Sequence, residues 1–223
     1  MYRFWKRFMD ITLSAIALLL LSPFLIPICI ALLLTGEHHV FYFQERIGRH
    51  NTKFGIWKFA TMLKDSPNLP GGLHTMRRDP RLLPLGHFLR ITKINELPQL
   101  INILLGDMSI VGPRPLVDKT FDPYPGHVKA AIYNVRPGLT GIGSIVFRDE
   151  ERLLSESAMP MDTFYATHIA PAKGELELWY QRNLSLRTDL LIIFLTAWAI
   201  PFPKSNLLHR VFKDLPEIHV PGL

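Results

Sequence analysis

An uncharged apolar run at residues 11–34 constrains this sequence more than any other feature. At about two dozen residues it is long enough to cross a bilayer as one helix. No small-residue cleavage site follows it, which argues against a signal peptide. Ser22 and Pro23 interrupt the run near its middle, and Pro27 follows. Because proline lacks a backbone donor and disfavours helix in the preceding residue, we expect a bend there.

Basic residues flank the apolar run on both sides. They are Arg3, Lys6 and Arg7 before it, and Arg46, Arg49, Lys53 and Lys58 after it. Since cytoplasmic segments carry the excess of Lys and Arg, this symmetry favours two ends on the same cytoplasmic side. The sequence therefore predicts a re-entrant helical hairpin, with a proline-kinked transmembrane helix as the alternative. Aromatic residues interleaved with the first basic group suit the headgroup level of a bilayer.

The composition favours an anionic partner. The 223 residues carry a formal net charge of +6, and a membrane surface, a nucleotide substrate or a nucleic acid would each fit that charge. The basic residues are scattered and no nucleic-acid motif occurs, so we expect no nucleic-acid partner. Cys29 is the single cysteine and rules out an intrachain disulfide. The nine histidines show no metal-ligand spacing.

Residues 90–115 carry the pattern of a capped amphipathic helix. Its apolar face consists of Leu97, Leu100, Ile101 and Leu104. Asn95 precedes this face and can cap it, and Gly106 can end the helix. The pattern predicts a helix that begins at Asn95 or Glu96, with its free N–H groups and positive dipole end available to an anion.

Charged residues cluster around the start of this helix. Arg90 and Lys93 lie just before it, and Glu96 places a carboxylate within it. Arg114 lies between two prolines in a rigid turn, and we expect it to converge on the same point. Cations beside a helix N-terminus predict a phosphate site, and the carboxylate can hold a metal or move a proton.

Further motifs occur in a fixed order along the chain. Gly-Asp-Met-Ser and Gly-Pro-Arg-Pro follow the helix, and other signatures lie at residues 44–48, 58–59, 136–141 and 180–189. Together they resemble the bacterial sugar transferases, the small monotopic phosphoglycosyl transferases, over most of residues 1–200. The resemblance has two departures. The family's Asp-Glu dyad reads Asn95-Glu96, and Ala60 stands where the family usually has Arg after Lys-Phe.

The resemblance implies a reaction and a set of site residues. A phosphosugar would pass from a UDP-sugar to polyprenyl phosphate with Mg²⁺, as the first membrane step of glycoconjugate or polysaccharide synthesis. Asn95 and Glu96 occupy the catalytic positions, and Glu96 is the candidate metal ligand. The candidate substrate-binding residues are Lys58, Arg90, Arg114 and Arg136. The expected location is the cytoplasmic face of a bacterial inner membrane, with contact to membrane lipid, and a homodimer is left open.

Asn95 poses the central chemical question. In this family the aspartate of the dyad is thought to attack phosphorus, and an amide is far less nucleophilic than a carboxylate. As a helix cap Asn equals Asp, so we expect the fold to tolerate the change while the covalent chemistry does not. Three interpretations remain. Glu96 takes over or supports direct attack by the lipid phosphate, the chain is an engineered Asp-to-Asn variant, or it is a disabled relative serving as a scaffold or lipid-phosphate binder.

The expected fold is mixed α+β, mainly helical with a few short strands. It would be a monotopic membrane protein with a re-entrant helix at residues 1–36 and a cytosolic catalytic-type domain at 37–223. Within that domain the pattern predicts a strand pair in residues 40–62, a loop at 64–72, a basic run at 77–81 and a short helix at 82–92. It also predicts a strand at 145–147 and a solvated helix start at 148–156. The apolar run after Asp189 is too short to span a membrane and predicts an amphipathic helix in the interface or the core.

Overall fold

The computed structural model describes residues 1–66, 80–203 and 205–223. The chain is mostly helical with a few short strands, which confirms that part of the predicted fold class. It divides into two compact units. The first unit contains residues 1–10, 46–54 and 106–223, and the second contains residues 11–45 and 55–105. The predicted domains at 1–36 and 37–223 stay a prediction, and the loop at 64–72 and the basic run at 77–81 lie largely outside the described residues.

The secondary structure begins with one long helix and continues in short elements. In chain order these are α1 (Tyr2–Leu34), β1 (Phe41–Ile47), β2 (Lys53–Phe59), α2 (Gly86–Ile91), α3 (Gln99–Leu105), β3 (Ser109–Val111), α4 (Asp118–Phe121), α5 (Gly126–Ala131), β4 (Gly138–Thr140), α6 (Ile142–Val146), α7 (Glu150–Glu156), α8 (Met161–Phe164), α9 (Ala170–Arg182), α10 (Leu186–Ala199) and α11 (Leu207–Val211). A π-helical segment, Tyr165–Ile169, joins α8 to α9.

Helix α1 contains both prolines of the apolar run. The hydroxyl of Ser22 donates to the carbonyl of Leu19 at 2.8 Å. This is the carbonyl that the N–H four residues later would reach, and Pro23 has no N–H to give. In the part of the chain that the structure describes, α1 is the one helix long and apolar enough to cross a membrane, and few residues of its apolar stretch are fully buried. Membrane association follows from that surface, while the re-entrant hairpin stays a prediction.

The second unit is built on the strand pair that the sequence predicts. β1 and β2 form a two-stranded sheet. Leu32 of α1, Phe59 of β2 and Leu89 of α2 are buried together in its core. Phe88 and Ile91 of α2 are exposed, so this short helix is apolar on its outer face as well.

The first unit has its core around α9. Leu176 and Trp179 of α9 pack with Ile192 and Leu195 of α10. The exposed face of α10 carries Leu190, Phe194 and Trp198. The predicted helix is therefore confirmed, with one face in the core, but its exposed face is apolar as well, so the amphipathic pattern is wrong. Its place in a membrane interface stays a prediction.

A buried network of ion pairs and hydrogen bonds attaches the first turns of α1 to the rest of the first unit. The ammonium of Lys6 lies 3.3 Å from Asp189 and 3.4 Å from Asp10. The hydroxyl of Tyr2 donates to Asp189 at 2.9 Å, and Asp10 accepts from the N–H of Ile110 at 3.1 Å. Lys6 was expected at the headgroup level, and its burial among two carboxylates shows that it pairs inside the protein instead.

Two local predictions are wrong, and one pair of strands was missed. The helix expected to begin at Asn95 or Glu96 begins at Gln99, because a 3₁₀ turn (Ile94–Glu96) follows the left-handed residue Lys93 and comes before it. The strand expected at 145–147 is replaced by α6, since packing against α9 and α10 overrides the β-propensity of Ile145 and Val146. The parallel strand pair β3–β4 was not predicted at all.

Candidate functional site

Lys58 and Glu96 form an ion pair within the second unit. The Lys58 ammonium lies 3.6 Å from a carboxylate oxygen of Glu96, and both side chains are largely shielded from solvent. Lys58 projects from β2 and Glu96 from the 3₁₀ turn, so two segments distant in sequence meet here. The structure thus brings together the candidate phosphate-binding lysine and the candidate metal-binding carboxylate.

Asn95, the residue before Glu96, is buried, with 7% of its surface exposed. Its side-chain oxygen has no hydrogen-bond partner among residues 1–66, 80–203 and 205–223. The predicted capping role is therefore wrong, because no side-chain capping bond forms at this turn. A buried amide oxygen without a donor is uncommon and needs an explanation, and a bound cation or a substrate hydroxyl would supply one.

Arg90 lies in the last turn of α2 and is half-buried. One of its guanidinium nitrogens lies 3.5 Å from the sulfur of Met62. Its role in binding substrate stays a prediction. Ala60, the second departure from the family pattern, is buried after β2 and donates its N–H to Val40 at 2.9 Å, so the position contributes packing and no cation.

Asn102 is a positioning residue that the sequence reasoning missed. It is fully buried in α3. Its side-chain amide donates to and accepts from the backbone of β2, as a neighbouring strand would. The side-chain nitrogen donates to the carbonyl of Gly55 at 2.8 Å, and the oxygen accepts from the N–H of Trp57 at 2.9 Å. These bonds fix α3 against the strand that carries Lys58. A lone polar residue within the apolar stretch of residues 100–105 was the available signal.

Arg114 is held by its backbone within the first unit. The hydroxyl of Tyr133 donates to the carbonyl of Arg114 at 2.8 Å and accepts from the N–H of Leu116 at 3.0 Å. Arg46 donates to the carbonyl of Pro115 at 3.2 Å. The Arg114 side chain itself is exposed. The rigid turn that the two prolines predict is therefore present, and it presents a guanidinium to the surface.

Arg136 lies at the start of the segment that pairs with this turn. The N–H of Gly138 donates to Pro113 at 2.7 Å, and the N–H of Gly112 donates to Thr140 at 2.9 Å. Arg136 donates to the carbonyl of Gly106 at 2.7 Å. The first unit thus joins the segments of both Arg114 and Arg136 through β3 and β4.

Arg49 lies close enough to two other arginines, Arg136 and Arg3, to feel their charge. Partial burial lowers the pKa of the Arg49 guanidinium, and the positive charges of Arg136 and Arg3 lower it further. A concentration of positive charge of this kind favours a bound anion. Sequence reasoning assigned no site role to Arg49 or Arg3, because the polar turn and the apolar helix that carry them are far from the core motif.

The donor atoms around Glu96 bear on the predicted Mg²⁺ site. Within the described ranges no group of three or more His, Cys, Asp or Glu side chains is placed to hold a metal ion. Mg²⁺ is commonly bound through one or two carboxylates with substrate phosphates and water as its other ligands. Glu96 and the buried oxygen of Asn95 are oxygen donors of that type, so the residues fit such a site.

Comparison with known proteins decides the family. The model of the bacterial sugar transferases matches residues 1–202. The chain belongs to the bacterial sugar transferase family. The match includes both units and each of the candidate site residues, and it confirms the resemblance that the motifs indicated.

Some relatives of this sugar transferase chain are about its own length, and others are more than twice as long. The exopolysaccharide production protein ExoY of Rhizobium meliloti is 34% identical over 90% of this chain and 87% of the relative. The undecaprenyl-phosphate galactose phosphotransferase of Salmonella typhimurium is 32% identical over 89% of this chain and 40% of the relative. The UDP-glucose:undecaprenyl-phosphate glucose-1-phosphate transferase of Escherichia coli is 35% identical over 88% of this chain, which spans 40% of that protein.

Proposed function

We propose that this chain transfers a phosphosugar from a UDP-sugar to polyprenyl phosphate, with undecaprenyl phosphate as the acceptor that its relatives indicate. The observation that carries the proposal is the family match over residues 1–202, with relatives named for this transfer. The ion pair of Lys58 with Glu96 and the arginine segments of the first unit supply the charges that such a reaction needs. The alternative of a disabled scaffold gains no support from the relatives' names.

The basic residues bind the phosphates in this proposal. Arg114 and Arg136 offer planar guanidinium groups suited to two phosphate oxygens at once, and Lys58 and Arg90 add charge. Their task is to orient the diphosphate and to stabilise the negative charge that develops as the bond to the leaving group breaks.

Glu96 and Asn95 are the residues that would hold Mg²⁺. When bound, the ion would neutralise diphosphate charge and polarise the phosphorus centre. The carboxylate of Glu96 supplies a formal negative charge, and the amide oxygen of Asn95 supplies a neutral ligand. Lys58 pairs with Glu96 and would compete with a cation for it. Once the pair is broken, the Lys58 ammonium would bind a substrate phosphate.

The amide at position 95 shapes the chemistry. Direct transfer needs no covalent enzyme intermediate. An oxygen of the lipid phosphate forms a bond to the sugar-bearing phosphorus, the bridging bond of the UDP-sugar breaks, and UMP departs with the electron pair. Glu96 as nucleophile is the second route that the residues allow. Under both routes the helix α1 places the reaction at a membrane, and we propose a re-entrant hairpin on the cytoplasmic face of a bacterial inner membrane.

The test measures UMP release by purified protein in nanodiscs with Mg²⁺, undecaprenyl phosphate and a panel of UDP-sugars. We expect turnover with at least one sugar. Glu96→Gln should lower it at least about 100-fold, because the variant loses the charged ligand. Glu175→Gln, which alters a partly exposed acid paired with His127, should leave turnover unchanged. No release from any sugar would count against the proposed function.

Asn95→Asp in the same assay separates the two chemistries. The native chain should release UMP only when the lipid acceptor is present. The aspartate variant should release about one equivalent without acceptor and gain the mass of a phosphosugar, because a carboxylate can attack phosphorus. A mass gain by the native chain that disappears in Glu96→Gln would identify Glu96 as the nucleophile.

A further inference from the structure

Glu177 is a buried acid that the proposed chemistry does not use. It lies in α9, and 3% of its surface is exposed. The N–H of Gly143 donates to its carboxylate. Its second oxygen, Oε2, has no hydrogen-bond partner among the residues that the structure describes. Burial raises the pKa of Glu177 to about 7, against the opposing effect of the Lys173 ammonium.

The groups that face Glu177 come from several elements. Lys173 lies one turn earlier in α9 and forms an ion pair with Glu150 of α7. Tyr124 follows α4 and Tyr133 follows α5. Burial raises the pKa of both tyrosines, and the charge of Glu177 adds to the rise in each. An ionised Glu177 therefore faces one cation that is already paired and two hydroxyl groups that stay protonated.

The turn that begins α6 packs directly on this carboxyl group. A Cβ atom at Gly143 would lie 2.5 Å from Oε1 of Glu177, so no side chain fits between them. A Cβ atom at Gly141 would overlap the carbonyl of Gly112. Residues 141–143 are thus held between the carboxyl of α9 on one side and the Gly-Pro-Arg-Pro turn on the other.

Through these contacts Glu177 is connected to both arginine segments of the first unit. Gly112 is also hydrogen-bonded to Thr140 at 2.9 Å, and β4 runs from there back to the segment of Arg136. Tyr133, which faces Glu177, holds the carbonyl of Arg114 at 2.8 Å. A displacement of residues 141–143 would therefore shift the backbone that carries Arg114 and Arg136.

We propose that Glu177 is a positioning residue whose neutral carboxyl group holds residues 141–143 in the arrangement that binds the substrate diphosphate, and whose ionisation loosens that arrangement. The physical reason is the bonding of Oε2. A buried hydroxyl group without an acceptor is tolerated at modest cost, whereas a buried carboxylate oxygen without a donor must recruit water or Lys173. Either recruitment needs space that the packed turn provides only by moving. The kinetic consequence rests on the proposed function.

The kinetic test compares pH profiles. The KM of the native chain for its UDP-sugar should rise about fivefold or more between pH 6 and pH 8, with a smaller change in kcat. Glu177→Gln keeps a neutral side chain at every pH and should hold the low KM across this range. Glu175→Gln, on the same helix, should keep the native profile. A Glu177→Gln profile that follows the native one would overturn the proposal.

Two readouts do not depend on turnover. The infrared band of a protonated carboxyl group should be lost from the native chain as pH rises from 6 to 8 and should be absent from Glu177→Gln. Amide exchange of residues 138–147, corrected for intrinsic rates, should increase over the same range in the native chain alone. If no UDP-sugar is turned over, the proposed function fails while these signals still decide the role of Glu177. Their absence from the native chain would refute it.

Gly143→Ala is the second variant, in case Glu177→Gln folds poorly. Its methyl group would press on Oε1 and displace the turn without altering the acid. We expect a raised KM already at pH 6 and a weaker further rise by pH 8. A native KM at pH 6 in a folded Gly143→Ala variant would show that the turn does not govern binding.

Discussion

At the scale of single residues, the two most informative side chains are buried polar groups with an unsatisfied atom. Asn95 was expected to cap a helix as well as Asp would, so that the fold would tolerate the change from Asp. That explanation is wrong, because the Asn95 side chain makes no capping bond at this turn. The buried site gives a different reason. An amide there avoids the desolvation of a charge, whereas an aspartate would need a cation or several donors. Asn95 therefore favours a folded site even without Mg²⁺.

Glu177 makes stability depend on pH with a defined sign. Its pKa is 4.5 in an exposed chain and about 7 in the folded protein, so the folded state holds the proton more tightly. The stability from this group is fully present below pH 4.5 and is lost as pH rises through 7. At roughly 1.4 kcal/mol per pH unit, the free energy of unfolding should fall by about 3 kcal/mol by pH 8.

Thermal unfolding in detergent at several pH values measures this loss. Glu177→Gln should show a flatter profile and should be more stable than the native chain at pH 8, with little difference near pH 5. Parallel profiles for the two proteins would mean that the carboxyl group is ionised in the same range whether the chain is folded or not.

At the scale of elements, the Asn102 side chain joins α3 to β2 through two hydrogen bonds to the strand backbone. Asn102→Ala would remove both amide bonds and leave the N–H of Trp57 and the carbonyl of Gly55 without their partner. We expect a loss of about 2 kcal/mol in the free energy of unfolding and slower UMP release, because the Lys58–Glu96 pair depends on this packing. Asn134→Ala, at an exposed position, should change neither. An unaltered unfolding midpoint for Asn102→Ala would show that water replaces the amide.

The same scale shows what sequence patterns can reveal. The hairpin β1–β2 and the helix α10 were predictable, because each has a local pattern several residues long. β3 and β4 have three residues each and pair across 29 positions between Ser109 and Gly138, so neither had a local signal. The start of α3 was misplaced because the left-handed Lys93 sets a 3₁₀ turn that periodicity cannot distinguish from a helix. Motif resemblance supplied the site residues, while the burial of Asn95 and Glu177 depended on packing that residue identity does not encode.

At the scale of the whole molecule, the predicted hairpin sets the sides of the membrane on which the two ends of α1 lie. Basic residues flank the apolar run on both sides in the sequence, and we expect both ends to face the cytoplasm. In a Cys29→Ser background, single cysteines at Arg3 and at His39, both exposed, should react with an impermeant thiol reagent from the same side of oriented membrane vesicles. Labelling from opposite sides would establish a spanning helix and exclude the hairpin.

Ser22 supplies a hydrogen bond that the proline after it cannot make. A carbonyl without a hydrogen-bond donor inside hydrocarbon costs several kcal/mol. Each proline in an apolar helix removes the N–H that would bond the carbonyl four residues earlier. The Ser22 hydroxyl donates to the carbonyl of Leu19, which Pro23 would otherwise leave without a donor. In the predicted hairpin, this bond would let the backbone change direction within lipid at Pro23 without a donor from a neighbouring helix or from water.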